Sequence, residues 1–465
     1  MAFADKMKMT NWAFGFFVLS VMLLPIGFGG NRPLPFGLAQ AGLAVSCLCL
    51  ILGFGRSWQP PKLFPRLQLA LILFSIVIVW AWLQTQPFLP KDWAHPLWME
   101  AANVLNKPLH GVVAIAPEAS QAGLNRLITY LVAGFLAYVL GQDPKRARLV
   151  IQALWASGTA ICIYGLVVHI TGWNKILWFD KWAYHEDLTA TFVNRNHFAI
   201  YASLVLASGV ALFLQSWRED VMAQKPTSRA PAVRAWLMRR GGMYMCSFMI
   251  IVLCIVLSHS RSGFMLGLAG IASYLFFYQI YRKSWARALL IALVAFIIIS
   301  LAFAVARQYS ERFASLFSDY SSTDRMKVYG MTIEALRDSP LFGYGLNGFQ
   351  PVFRIYQRNM IMEFTHAHSD ILESLLDLGL PMGFLMWAAV LLVVSGLARG
   401  IARRRRHGMF ACLALAACIV VLGHAMVDFS LQIPGVVIPW VTLLGIGLAQ
   451  SWRQAEREGV PELMS

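Results

Sequence analysis

The sequence is short of charge. Lys, Arg, Asp and Glu make up 13% of its 465 residues, whereas a soluble domain usually contains roughly 25%. Hydrophobic residues reach 58%, and the mean hydropathy is +0.59. A disordered chain lacks such an apolar fraction, and a soluble protein keeps more charge on its surface. The composition therefore predicts a polytopic integral membrane protein.

Cysteine chemistry is also sparse. The 7 cysteines all stand in apolar runs, and no CxxC pair occurs. Closely spaced cysteines in polar segments are typical of disulfide frameworks and zinc sites. We therefore expect neither, and we interpret these cysteines as small core residues.

Long apolar runs fill most of the chain. A helix needs about 20 mostly apolar residues to cross the hydrocarbon core of a bilayer. We predict an all-α fold with about twelve spans and a long loop between the ninth and the tenth. The spans lie at about 11–29, 36–54, 67–83, 124–141, 149–171, 192–214, 242–258, 262–281, 286–306, 371–398, 408–427 and 431–450.

Basic residues outnumber acidic ones, 39 to 23, and the net charge is +16. In a soluble protein this would suggest nucleic-acid binding, but membrane proteins collect Lys and Arg in cytoplasmic loops. A cytoplasmic N-terminus makes every inner connection basic, including the loop 216–240. We therefore expect a lipid bilayer as partner, no nucleic acid, and both termini in the cytoplasm.

The outer side then carries two long segments, 84–123 and 307–370. Loops longer than about 15 residues are usually functional or disordered. Helical periodicity from Thr323 to Arg337 favours order in the second segment. We divide the chain into a membrane domain over 1–306, the outer segment 307–370 and a second membrane part over 371–465.

Polar residues gather at the predicted outer ends of the spans, where burying a charge is costly. Some have simpler interpretations: an arginine at a span end commonly extends to lipid head groups, and Asp370 followed by Glu373 is typical of a helix N-terminal cap. Several such clusters on one membrane face nevertheless favour a shared cavity. The residues are Arg195, Asn196, Arg261, His366, His368, Asp370, Asp377 and Asp428, with Arg325 in the second outer segment.

These residue types suggest a reaction. Arginine presents a planar fork of donors that suits pyrophosphate oxygens, and histidine acts as a general base near neutral pH. Arg195, Arg261 and Arg325 beside a histidine therefore suit glycosyl transfer from a lipid pyrophosphate. A transporter of an anionic substrate would also place arginines on this face.

Two short motifs invite other interpretations. Gly343–Gly348 matches GxGxxG, but it follows a predicted helix rather than a strand, so we interpret it as a turn. His366 and His368 form half of a metal site without a third ligand at typical spacing. We expect no metal and no cofactor.

Several short segments stand in an order typical of one family. They are Arg195–Ala199, Ser260–Gly263, Ser339–Phe349, Thr365–Leu372, Asp377–Leu380, His424–Phe429 and Gln432–Pro434. They resemble the signature of the O-antigen ligase and polysaccharide polymerase superfamily of bacterial envelope enzymes. The resemblance implies a lipid-sugar glycosyltransferase-like membrane fold in the bacterial inner membrane, with a periplasmic active site that uses neither metal nor nucleotide sugar.

The resemblance also implies substrates and roles. The donor is a glycan on undecaprenyl pyrophosphate, and the acceptor is lipid A-core, another glycan repeat or a protein. His368 matches the family's catalytic histidine, with His366 as its rival. The arginines that hold the pyrophosphate match Arg195, Arg261 and Arg325, and the supporting residues are Asn196, Asp370, Asp377 and Asp428.

Other functions stay open. A polysaccharide polymerase and a protein O-oligosaccharyltransferase share the same signature. An envelope polysaccharide exporter or flippase would commonly show two related halves, and none is visible in the sequence. A peptidoglycan polymerase would depend on an outer aspartate such as Asp428 rather than on His368.

Overall fold

The computed structural model describes residues 3–54, 63–314, 322–358, 364–403 and 407–452. The regular secondary structure of this part of the chain is helical apart from one short antiparallel hairpin. The all-α membrane fold class is therefore confirmed. The elements are α1 Phe3–Leu23, α2 Pro33–Phe54, α3 Pro65–Leu83, α4 Leu97–Leu105, α5 Pro117–Leu140, α6 Pro144–Ile170, β1 Lys175–Ile176, β2 Phe179–Asp180, α7 Arg195–Trp217, α8 Arg229–Trp236, α9 Gly242–Leu257, α10 Arg261–Tyr281, α11 Trp285–Ala314, α12 Ser322–Asp338, α13 Phe349–Tyr356, α14 Asp370–Leu378, α15 Leu380–Arg403, α16 Met409–Ala425 and α17 Pro434–Ser451.

Ten helices of the described chain are long and apolar enough to cross a membrane. They coincide with ten of the predicted spans. The other two predicted spans fall on shorter apolar helices, Trp285–Leu301 and Met409–Ala425. Spans α2, α3, α5, α6 and α17 each begin at a proline, where the missing N–H has no helical partner to lose.

The core of the bundle is built around α7 and α17, which are mostly buried, whereas the other candidate spans leave an apolar face exposed. A helix that is apolar all round belongs in an interior, and α7 packs against α6, α9, α10, α16 and α17. Small residues allow the close approach: an added Cβ at Gly445 on α17 would lie 2.4 Å from the Gly134 carbonyl oxygen on α5.

Hydrogen bonds show which helix ends lie together. The Thr191 hydroxyl, just before α7, donates to the Pro25 carbonyl after α1 over 2.7 Å. At the opposite end, the Gln450 side chain of α17 donates to the Gly141 carbonyl after α5 over 2.7 Å. We name the end where α7, α10 and α17 begin the site end, and the other the far end.

Two helices, α12 and α13, precede α14 within the described residues at the site end. Helix α12 covers the periodicity predicted over 323–337 and confirms it. Val328 of α12, Phe353 of α13 and Leu376 of α14 are buried in one small apolar cluster separate from the bundle core. This cluster attaches α12 and α13 to the start of the tenth predicted span.

The predicted span 371–398 is two helices. Gly379, with φ at 77°, separates α14 from α15, and an added Cβ there would lie 2.4 Å from the Leu341 carbonyl oxygen. The cap of α14 also differs from the sequence interpretation: the Ser369 hydroxyl, not Asp370, accepts the Leu372 backbone N–H at 3.3 Å. The acidic residues of α14 therefore lie outside the membrane-length helix.

The GxGxxG motif is a turn, as interpreted. Gly343 and Gly345 have φ values of 68° and 89°, which favour glycine. The turn follows α12 and packs against the end of α14, where the Gly345 N–H donates to the Asp377 carbonyl over 2.9 Å. No dinucleotide-binding strand precedes it within the described residues.

Candidate functional site

Asp428 is the centre of the polar cluster at the site end. It follows α16 and is 1% exposed. One carboxylate oxygen accepts the Asn196 side-chain amide of α7 over 2.8 Å. The other lies 3.2 Å from His368 Nδ1 and 2.9 Å from the Phe429 backbone nitrogen. Residues from three distant segments of the chain therefore meet at one carboxylate.

His368 is held by its backbone as well as by its ring. Its φ of 53° is left-handed, and the Tyr329 hydroxyl of α12 donates to its carbonyl over 2.9 Å. A carboxylate on Nδ1 fixes the tautomer that leaves Nε2 free to accept a proton. The side chain is 23% exposed, so it is partly open to its surroundings.

His366 forms a second histidine–carboxylate pair. Its Nδ1 lies 3.0 Å from Glu373 of α14, whose other oxygen accepts the Ala367 N–H over 3.0 Å. The His366 ring stacks on Phe429 at a centroid distance of 4.1 Å. Both histidines of the motif therefore have the partner a base needs, and the pairing alone does not choose between them.

Two further histidines complete the surroundings of Asp428. His424 Nδ1 is hydrogen-bonded to Ser430, and its Nε2 lies 3.8 Å from Asp428. His197 packs edge-on against Phe429 at 4.6 Å. His424 is 0% and His197 3% exposed, so both support the cluster from behind and neither is open to a substrate.

The charge state of Asp428 follows from these neighbours. Burial alone raises the pKa of a carboxyl group. Here the hydrogen bond from His368 and the nearby His197 and His424 outweigh burial, and the net pKa of Asp428 is lowered. The carboxylate is therefore ionised at neutral pH.

Arg195 is already paired with a carboxylate. Its Nη1 donates to Asp187 over 2.9 Å, and its guanidinium lies 5.4 Å from the Tyr184 ring centre. The second Asp187 oxygen lies 2.7 Å from His259 Nδ1. The sequence analysis missed Asp187 because it lies in the irregular segment between β2 and α7, where no periodicity signals a site.

Arg261 is the open arginine. It is exposed at the first turn of α10, and it makes no hydrogen bond or ion pair within the described residues. The preceding Ser260 caps α10 through the Gly263 N–H and donates to Asn196 over 2.8 Å. Because Asn196 also bonds Asp428, the start of α10 is tied to the histidine cluster.

Arg325 of α12 belongs to the same region. It is half-buried, and its positive charge acts on the phenols of Tyr184 and Tyr329. The Arg195 guanidinium lies over the Tyr184 ring, and the Tyr329 hydroxyl donates to the His368 carbonyl. The three predicted arginines are therefore all at the site end.

Asp370 and Asp377 are the buried aspartates of α14. Asp370 accepts the Leu431 N–H and Asp377 the Asn347 N–H, over 2.9 and 2.8 Å. Burial raises the pKa of both carboxyl groups. These two residues therefore fix the link before α17 and the turn after α12.

The described residues contain no group of three His, Cys, Asp or Glu side chains placed to hold a metal ion. The His366 and His368 imidazoles each face a carboxylate instead. Chemically, the site joins a histidine that can accept a proton to a set of arginines that can bind an anion.

Residues 246–388 match the family model described as O-antigen ligase, which confirms the resemblance to the O-antigen ligase superfamily over this stretch. The match includes Arg261, Arg325 and both histidines of the His366–His368 motif. Arg195, Asn196 and Asp428 lie outside it and join the site through the contacts above. No curated protein matches the chain.

Proposed function

We propose that this chain moves a glycan from undecaprenyl pyrophosphate to an acceptor hydroxyl, with lipid A-core as the acceptor of an O-antigen ligase. The observation that carries this is the His368–Asp428 pair at 3.2 Å, at the same end of the bundle as the open Arg261. The family match over 246–388 supports ligase-like glycosyl transfer.

The proposed reaction uses His368 as the general base. Nε2 of His368 takes the proton of the acceptor hydroxyl as the acceptor oxygen forms its bond to the sugar carbon. The bond between that carbon and the pyrophosphate oxygen breaks, and the pyrophosphate leaves with the electron pair. Asp428 stabilises the imidazolium, as a carboxylate does behind a catalytic histidine.

The arginines bind the leaving group. Charge on a departing pyrophosphate grows in the transition state, where fixed donors are most effective. Arg261 has its fork free for this task, and Arg325 adds positive charge nearby. Arg195 shares its charge with Asp187, so it contributes less than the sequence suggests.

We place the site end in the periplasm and both termini in the cytoplasm, in a bacterial inner membrane. The loop 216–240 and the segment after α15 are rich in arginine, and such segments stay in the cytoplasm. The site end is opposite to both along α7 and α15.

The test is glycan transfer in vitro with purified lipid-linked donor and acceptor. His368→Ala should lower the rate about 10²–10⁴-fold, as removal of a general base does, while the protein still folds and binds donor. His366→Ala is the matched control, since it has the same residue type, a similar exposure and its own carboxylate. An inactive His366→Ala with an active His368→Ala would move the base to His366.

The rival functions give other results. An exporter or flippase needs no base, so normal glycan display by both histidine variants would favour it. Asp428→Ala does not distinguish a peptidoglycan polymerase from a ligase. Asp428 contacts His368 directly, so a ligase should lose its activity in Asp428→Ala as well as in His368→Ala. Identifying the glycan that is lost from cells, and whether it accumulates on its lipid carrier, separates ligase, polymerase and protein O-oligosaccharyltransferase.

A further inference from the structure

A groove of about 250 Å³ lies between α3, α5, α15 and α17. It extends from Leu67 and Leu448, near the far end, to Arg126 and Asp370 at the site end. Its wall on α5 alone runs from Gly123 to Tyr138, which is about 22 Å at 1.5 Å per residue. The shape fits one extended hydrocarbon chain.

The polar end of the groove has unmet hydrogen-bonding capacity. Asp370 and Asp377 both line it and are 4% and 2% exposed. Each uses one carboxyl oxygen for a backbone N–H, and the other oxygen, Oδ1, is buried with no hydrogen-bond partner among the described residues. Buried polar atoms are nearly always satisfied, so these two oxygens point to a ligand with hydroxyl groups.

The groove opens beside the histidines but apart from the arginines. Gln432 lines it, and its side chain lies 3.5 Å from Glu373, the partner of His366. Arg195, Arg261 and Arg325 stand on α7, α10 and α12, and no described residue of these helices lines the groove. Arg126 is the one cation among the described residues that line it, and it donates to the Gln432 carbonyl over 3.4 Å.

We infer that the groove holds the lipid chain of the acceptor, and that hydroxyls of the acceptor head group bond to the free oxygens of Asp370 and Asp377. The inference rests on the proposed function and adds to it the place where the acceptor binds. Donor and acceptor then approach the histidines from opposite sides. The donor pyrophosphate lies at the arginines, and the acceptor head group lies next to Gln432.

The test measures binding without turnover. The probe is an alkyl glucoside with a diazirine in its chain, added to the full chain in nanodiscs and cross-linked by light. Val393→Trp adds bulk inside the groove, since Val393 lines it. Leu391→Trp is the matched control, because Leu391 lies on the same helix and is 64% exposed on the outside.

Labelling of the groove-lining peptides should fall at least tenfold in Val393→Trp and stay within twofold of wild type in Leu391→Trp. Asp370→Ala, which removes the proposed acceptor oxygen, should weaken labelling about fivefold, the loss of one hydrogen bond. Equal labelling of the two tryptophan variants would overturn the inference. So would equally strong labelling by a diazirine phosphatidylglycerol that excess glucoside does not displace, since the groove would then hold bilayer lipid only.

The outcome is independent of the proposed base. His368→Ala should bind the glucoside as wild type does, because His368 does not line the groove. An inactive His368 variant with a labelled groove supports both proposals. Normal transfer to a lipid acceptor by Val393→Trp would overturn the groove assignment alone.

Discussion

At the scale of single residues, the site depends on which side chains already have a partner. Arg195 and Arg261 look alike in the sequence, yet Arg195 is bound to Asp187 at 2.9 Å and Arg261 is open. An arginine that is already paired has fewer donors left for a substrate. The two residues should therefore respond differently to the same substitution.

Arg261→Lys keeps the charge and loses the planar fork. We expect the transfer rate to fall about tenfold or more, since a charge-assisted hydrogen bond contributes about 1.5–3 kcal/mol. Arg195→Lys should have a smaller effect, because Lys can retain the ion pair with Asp187. Arg234→Lys, on exposed α8 away from the site, is the control. Equal losses at Arg195 and Arg261 would show that the Asp187 pair opens in the donor complex.

Asp370 should make stability depend on pH. Burial, opposed by the Leu431 N–H and reinforced by Glu373 and Asp428, raises its pKa well above the ordinary value. Asp370 has a pKa of about 3.9 in the unfolded chain and a higher pKa in the folded protein. Between these two pKa values, Asp370 is protonated in the folded protein and ionised in the unfolded chain. The contribution of Asp370 to stability is therefore present at low pH and is lost as pH rises.

Asp370→Asn should remove this dependence. Relative to wild type, the midpoint of thermal unfolding should rise more at pH 8 than at pH 5. The measurement is thermal unfolding in detergent at both pH values for both proteins. Curves that shift in parallel with pH would mean that Asp370 is ionised in the folded state.

At the scale of elements, the break between α14 and α15 sets the position of the site. Gly379 and Gly343 face each other: an added Cβ at Gly343 would lie 2.4 Å from the Gly379 nitrogen. A continuous helix through 370–403 would carry the acidic face of α14 away from the turn at 343–348. The two glycines therefore hold α14 beside the histidines.

Gly379→Ala should destabilise the protein by about 2 kcal/mol or more, because alanine is strained at positive φ and its Cβ meets backbone. Gly37→Ala is the control: Gly37 lies in α2 with nothing within 4 Å of the added Cβ. That change should be neutral or stabilising by up to about 1 kcal/mol. Thermal unfolding of both variants gives the comparison, and an unaffected Gly379→Ala would refute the role of the break.

At the scale of the whole molecule, the parity of the spans determines which polar groups can meet. Helices that cross a bilayer in alternation return to the same side after every second span. The starts of α7, α10 and α17 therefore lie together, although more than 60 residues separate Asn196 from Ser260 and more than 200 separate it from Asp428.

Thiol labelling should give the orientation. In a Cys246→Ser background, Met326→Cys on α12 should react with an impermeant reagent in spheroplasts, and Gln224→Cys in the loop 216–240 only after permeabilisation. Both positions are exposed, and basic loops stay in the cytoplasm. The reverse pattern would place the site in the cytoplasm and exclude the proposed periplasmic reaction.

The spans, the fold class and the helix at 323–337 were predictable from the sequence because they are local properties. A run of about 20 apolar residues is helical in a bilayer whatever its neighbours. The motif residues could be placed at one end of the bundle for a similar reason, since counting spans needs no knowledge of how the helices pack.

The partners of those residues were decided only by the tertiary structure. The sequence did not indicate which carboxylate faces each histidine. The carboxylate on His368 is Asp428, and Glu373 bonds His366. The pairing of Arg195 with Asp187 and the groove with its two free carboxyl oxygens were not visible either. Each depends on the rotation and packing of helices far apart in the chain, which composition and spacing do not encode.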